Sequence, residues 1–150
     1  MKISITKIII LLSVLFAFQY ANAQEKPKAE LVDSFIYSNS EEASVKIDML
    51  NSMLHQSPTN AGYVIVYGGK VSKRGEIEAH LRGIRVTFTI KRIDQERVPV
   101  IKGGYRDKVT IEFWIVPEGA DLPQPTPTID AKKVRFKGVS RKTIPYDCCP

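Results

Sequence analysis

The chain has 150 residues, with 22 Lys and Arg against 16 Asp and Glu and a formal net charge of +6. Its two cysteines, Cys148 and Cys149, are adjacent near the C-terminus, so no disulfide framework supports the fold; a bond between neighbours would strain the backbone, and the pair reads as part of a tail. With only His55 and His80 besides, the chain lacks the ligands of a structural zinc site, and neither a metal nor a cofactor is expected.

Lys2 and Lys7 flank the start of an apolar run, Ile8 to Phe18, which is followed by Ala21-Asn22-Ala23. This is the pattern of a signal peptide over residues 1–23, cleaved before Gln24. The run is roughly half of the ~20 residues that span a bilayer as a helix. The mature chain is therefore expected to be exported, to the periplasm or beyond, with no transmembrane segment after cleavage and no nucleic-acid partner. Its basic excess lies between Lys70 and Lys108, where 11 Lys and Arg stand against 5 Asp and Glu. Such charge ordinarily belongs to a solvated face; contact with an anionic envelope polymer is the alternative.

After a polar lead (24–29), Glu30 to Tyr37 reads as a first strand. Ser38 or Asn39 then caps a helix, with Glu41 and Glu42 three residues on. Ala43, Ile47, Leu50 and Leu54 form its apolar stripe, Met49 and Met53 widen it, and Pro58 follows. Gly62 to Gly69, GYVIVYGG, is an unbroken apolar run closed by a glycine pair and reads as the buried central strand. From Glu76 the spacing of Ile77, Leu81, Ile84 and Phe88 is helical, while Val86 to Ile90 alternates like a strand. A helix is the better reading, because a crossover helix here would join two parallel strands. Arg97 to Ile101 reads as a short strand leading to a second glycine pair, Gly103-Gly104. Val109 to Val116 is the last strong strand, with Thr110, Glu112 and Trp114 on the face opposite Ile111 and Phe113. Leu122 to Thr128, LPQPTPT, reads as a polyproline-like linker or spacer, and Lys132 to Val139 as a further strand in a proline-rich tail (120–150).

The fold predicted is α+β: a two-layer α/β sandwich over 30–119, ordered β-α-β-α-β-β, with two helices packed on a mixed sheet. In its order of strands and helices, with a strand closed by Gly68-Gly69 and a helix leading to Ile93-Asp94-Gln95-Glu96-Arg97-Val98, the chain resembles the OmpA-like C-terminal domain over roughly Ala43 to Pro117. It is similar, too, to a group of exported bacterial proteins that share a YGG strand end, a GGYR turn, a strand ending in WIVP and a following proline-rich tail. The resemblance implies peptidoglycan binding through an Asp and an Arg. Here Val71 stands where the Asp would be, and the arginine position falls on Arg85 in one register and on His80 in another, so the usual clamp is not expected to operate.

No nucleophile motif, P-loop or metal-ligand spacing is present, and the chain is not expected to be an enzyme. The expected function is a non-catalytic envelope protein that binds peptidoglycan or another anionic wall or surface polymer. The alternative is a structural or protein-protein interaction module using a sheet edge and the proline-rich tail, with another envelope protein as partner. If the two glycine-ended strands are parallel neighbours, Gly68, Gly69, Lys70, Gly103, Gly104, Tyr105 and Arg106 meet at one sheet edge as the candidate ligand site, with Lys73 and Arg74 beside them.

Overall fold

The computed structural model describes residues 26–142; the expected signal peptide with its expected cleavage point, and Cys148 and Cys149, lie outside the described residues. The elements are β1 (Glu30–Ile36), α1 (Ser40–Gln56), β2 (Ala61–Gly69), β3 (Val71–Arg74), α2 (Glu76–Ile90), β4 (Val100–Arg106), β5 (Thr110–Val116), a 3-10 turn (Ala131–Lys133) and β6 (Arg135–Val139). Two helices pack on a mixed four-stranded sheet of order β1-β5-β2-β4, the α+β architecture expected from the sequence. β1 and β2 both run antiparallel to β5, and β4 runs parallel to β2. β3 and β6 form a separate, parallel two-stranded ribbon.

Local chemistry explains the helices. The Asn39 side chain accepts the Glu42 amide at 2.9 Å, which satisfies one of the free donors at the start of α1, and Ser38 donates to the Glu42 carboxylate. Ala43, Ile47, Leu50 and Leu54 are buried as their spacing predicts; Met53 packs beside them, whereas Met49 is largely exposed. At the other end of α1, the Arg97 guanidinium donates to the carbonyls of Leu54, Ser57 and Asn60 at 2.7–2.8 Å, capping orphan acceptors and fixing the turn into β2. Val86 to Ile90 is helical, as expected, because Ile84, Thr87 and Phe88 are buried against the sheet while Val86 and Ile90 face solvent.

The two faces of the sheet have separate cores. Val64, Val66, Ile111 and Phe113 meet the helices. Tyr63, Ile65, Tyr67 and Val116 form a smaller cluster on the other face, with Trp114 and Ala120 against it. The segment expected to be a linker is not extended away from the domain. Residues 121–129 turn back along the sheet: the Thr126 amide donates to the Tyr67 hydroxyl at 3.1 Å, and the Thr128 and Ile129 amides both donate to the Tyr105 carbonyl at 3.0 Å. Its prolines offer apolar rings without amides to satisfy, a fitting cover for a half-finished sheet face.

Candidate functional site

β2 and β4 are parallel neighbours, so their glycine-bearing ends emerge together, as expected. β2 ends at its glycine pair, as expected, but β4 does not stop at its own. β4 begins three residues later than the predicted Arg97 start and runs through Gly103-Gly104 to Arg106, with Gly68 opposite Tyr105 and Gly69 opposite Arg106. The reason is an exchange of rings. A Cβ on Gly103 would lie 2.5 Å from Cδ1 of the Tyr67 ring, and one on Gly68 would lie 2.8 Å from the Tyr105 ring, so each strand's tyrosine covers its neighbour's glycine. Gly104 has φ +90 at the register shift between the strands, a conformation that side chains resist, and its open side is filled by Pro127.

Arg106 and Tyr105 are therefore not the outward-facing ligands that the sequence suggested. The Arg106 guanidinium donates to the Glu112 carboxylate at 2.6 Å and to the Thr126 hydroxyl at 2.7 Å, and it stacks over the Tyr67 ring at 3.7 Å. Glu112, with its side chain only 7% exposed, also accepts from the Tyr67 hydroxyl at 3.0 Å and the Trp114 indole at 3.2 Å. This buried network bolts the proline-rich strap to the sheet. Its sequence signal is an acid in the middle of the otherwise apolar strand VTIEFWIV, which demands a buried cation. Tyr105, for its part, lies between Gly68 and the Phe136 ring, whose centroid is 6.3 Å away.

What remains open at this edge is a cleft of about 510 Å³ beyond the end of β2, and of the expected residues it takes only Gly69 and Lys70. Lys108 and Arg135 join Lys70 around it, Asp107 supplies a carboxylate, and Ile36, Tyr37, Val71 and Val109 supply apolar surface. Its walls are tied together through the backbone: the Lys70 amide donates to the Asp107 carbonyl at 3.2 Å, and the Arg135 amide donates to the Lys70 carbonyl at 2.9 Å. Lys70, Lys108 and Arg135 are exposed, and their side chains form no ion pair among the described residues. A second hollow of about 350 Å³ shares Ile36, Asp107 and Lys108 and extends past Arg106 and Thr110 toward Thr128, so one edge of the expected Arg106 does reach a hollow. Sequence reading missed Arg135, although residues 132–142 contain six Lys and Arg and no acid, because nothing local shows that this run lies beside Lys70.

Neither candidate for the family arginine lines the cleft as a cation. Arg85 donates to the carbonyl of Val100, at the opposite end of β4, about 20 Å from the cleft at 3.3 Å per strand residue. His80 is buried with its ring edge-on to Tyr37, centroids 4.4 Å apart, and burial lowers its pKa to about 4. The same burial raises the pKa of Tyr37, so both rings are neutral at pH 7. Val71 starts β3 at the cleft wall, where it brings no carboxylate. Among the described residues no group of three or more His, Cys, Asp or Glu is arranged to hold a metal ion, and no helix is long and apolar enough to cross a membrane.

The class of protein so defined is an α+β domain with a basic, open cleft at the ends of a parallel strand pair. Comparison of the chain with protein-family models, with curated proteins and with solved structures gave no match.

Proposed function

We propose that this is an exported, non-catalytic envelope protein that holds an anionic cell-wall or surface polymer, peptidoglycan among the candidates, in the cleft beyond β2. The observation that carries this reading is the convergence of Lys70, Lys108 and Arg135 on one cleft, without ion-pair partners among the described residues. Cations left unpaired and close together add nothing to the fold and raise a local potential that draws in an anion. The position agrees with the general preference of ligands for the crevice outside the carboxyl ends of parallel strands. The OmpA-like resemblance points the same way, although its Asp-Arg clamp is not the means.

A non-catalytic role is supported by the titratable groups at hand. The cleft offers Lys, Arg, one Asp and a half-buried Tyr, and His80, whose ring lies edge-on to that Tyr, is neutral and enclosed. The interaction-module alternative is less well supported, because the proline-rich segment that it would present is held against its own sheet by Tyr67, Tyr105 and Arg106. The test is co-sedimentation with purified wall material, intact or stripped of its anionic polymer, across a salt series. Exposed charges are screened by salt, so retention is expected on the intact wall at low salt and release as salt rises. Equal retention on stripped wall would point to peptidoglycan itself, and retention on neither material, or retention that salt does not weaken, would sink the proposal.

A further inference from the structure

The β3–β6 ribbon adds something that the cleft alone does not require. Val71 pairs with Arg135 and Ser72 with Phe136, and neighbours across a parallel pair point to the same side. Ser72 is buried and donates to Glu76, and Phe136 turns to Tyr105 with Arg74 against its ring, so these residues mark the inner face. The alternate residues, Lys73, Arg135 and Lys137, therefore line the outer face, where all three are exposed and without ion-pair partners among the described residues. Arg135 belongs to both surfaces, so Lys70 and Lys108 in the cleft continue into Lys73 and Lys137 on the ribbon. Cations recur about every 6–7 Å along a strand, two residues at a time.

The chemistry of this face is one-sided. Lys and Arg are hydrogen-bond donors only. The carboxylates near the ribbon have other partners or stand at the margin: Glu76 accepts from the Ser72 hydroxyl and the Lys73 amide, Glu78 pairs with Lys102, Asp130 caps the 3-10 turn, and Asp107 lies in the cleft. A saccharide rich in hydroxyls would need acceptors and an aromatic platform; the ribbon's one aromatic ring, Phe136, is 44% exposed but stands edge-on to Tyr105 with Arg74 over it. An acceptor-only chain with a charge on each repeat suits it better.

We propose that the outer face of the β3–β6 ribbon is a track for an extended polymer of singly charged phosphate units, entered from the cleft and read along Arg135, Lys73 and Lys137. This rests on the anionic-polymer reading and deepens it by naming the polymer's chemistry and its path. The experiment measures binding of linear polyphosphate, short and long, and of polyglutamate of matched length to the full chain and to a Lys73→Ala/Lys137→Ala variant, as a function of salt. Neither residue supports the core, and an unchanged melting temperature verifies that the variant is folded. The long polyphosphate should bind more tightly than the short one. The variant should lose that advantage, about tenfold or more at 50 mM salt, with the slope of log K on log salt reduced by about 1.4, at about 0.7 for each phosphate that is no longer neutralised. Polyglutamate should bind clearly more weakly than polyphosphate. Undiminished binding of long polyphosphate by the variant would overturn the track and leave the cleft reading standing. Equal affinity for polyglutamate would overturn the phosphate assignment, and no binding of any polyanion would remove both readings.

Discussion

Replacing Arg106 by Ala should destabilise the domain severely, although the residue lies next to the proposed binding edge. The substitution leaves Glu112, whose side chain is 7% exposed, without its cation, and removes the stack on Tyr67 and the bond to Thr126 that fastens the strap. Breaking a buried ion pair from one side costs about 3–5 kcal/mol, because the remaining charge stays desolvated. For a domain of this size that is a fall in Tm of about 10–20 °C. Urea and thermal denaturation followed by circular dichroism would measure it. An Arg106→Lys variant keeps the charge but neither the fork nor the planar stack, and should lose an intermediate amount. Arg106→Met with Glu112→Leu should recover much of the loss, since no charge is left buried. A loss below about 1 kcal/mol in Arg106→Ala would refute the reasoning, because the cost of an unpaired buried carboxylate is larger than that.

Gly103→Ala should cost about 1–3 kcal/mol or more by overpacking, since its methyl group would meet the Tyr67 ring at 2.5 Å; equilibrium denaturation checks this, and Gly75→Ala, with nothing within 4 Å but φ +74, should cost less. A chain ended at Gly119 should unfold at markedly lower denaturant than the full chain, since it loses the strap over Tyr67 and the β6 partner of β3, and should bind hydrophobic dyes through the uncovered face. Stability should also fall on mild acidification. The folded chain holds the His80 pKa at about 4, below its ordinary 6.5, so the unfolded chain takes up the proton first. The contribution is complete above pH 6.5 and is lost as pH falls toward 4, the loss reaching about 2 kcal/mol by pH 5. Melting curves from pH 7.5 to 5 on the parent chain and His80→Phe should differ in slope, the variant being flatter.

The parts of this fold legible from sequence are those whose signals are local. GYVIVYGG is apolar throughout because both faces of β2 are covered, and the capping and stripe of α1 lie within twenty residues of each other. The helix over Glu76–Ile90 is readable because Ile77, Leu81, Ile84 and Phe88 repeat at helical steps and the parallel pairing of β2 with β4 needs a crossover. What escapes is long-range. A glycine pair reads as a strand end because its missing side chains suggest a turn, which holds for Gly68-Gly69, yet Gly103-Gly104 lies inside β4 and makes room for Tyr67 on the neighbouring strand. β3 pairs with a strand more than sixty residues away, and nothing in VSKR announces a partner. Arg106 looks like a ligand in sequence because its acid, Glu112, lies across an intervening strand, while Arg135, which does line the cleft, sits in a segment that composition assigns to a tail.

The central claim is that unpaired cations of the cleft hold an anionic polymer. The most direct measurement is the affinity of the full chain for purified anionic wall polymer at fixed low salt, compared with a Lys70→Ala/Lys108→Ala/Arg135→Ala variant. All three side chains are exposed and make no ion pair among the described residues, so the variant should melt within a few degrees of the parent. Its affinity should fall by about tenfold or more, with a salt dependence shallower by about 2, at about 0.7 for each neutralised phosphate. Unchanged affinity and salt slope in a variant that melts normally would contradict the account.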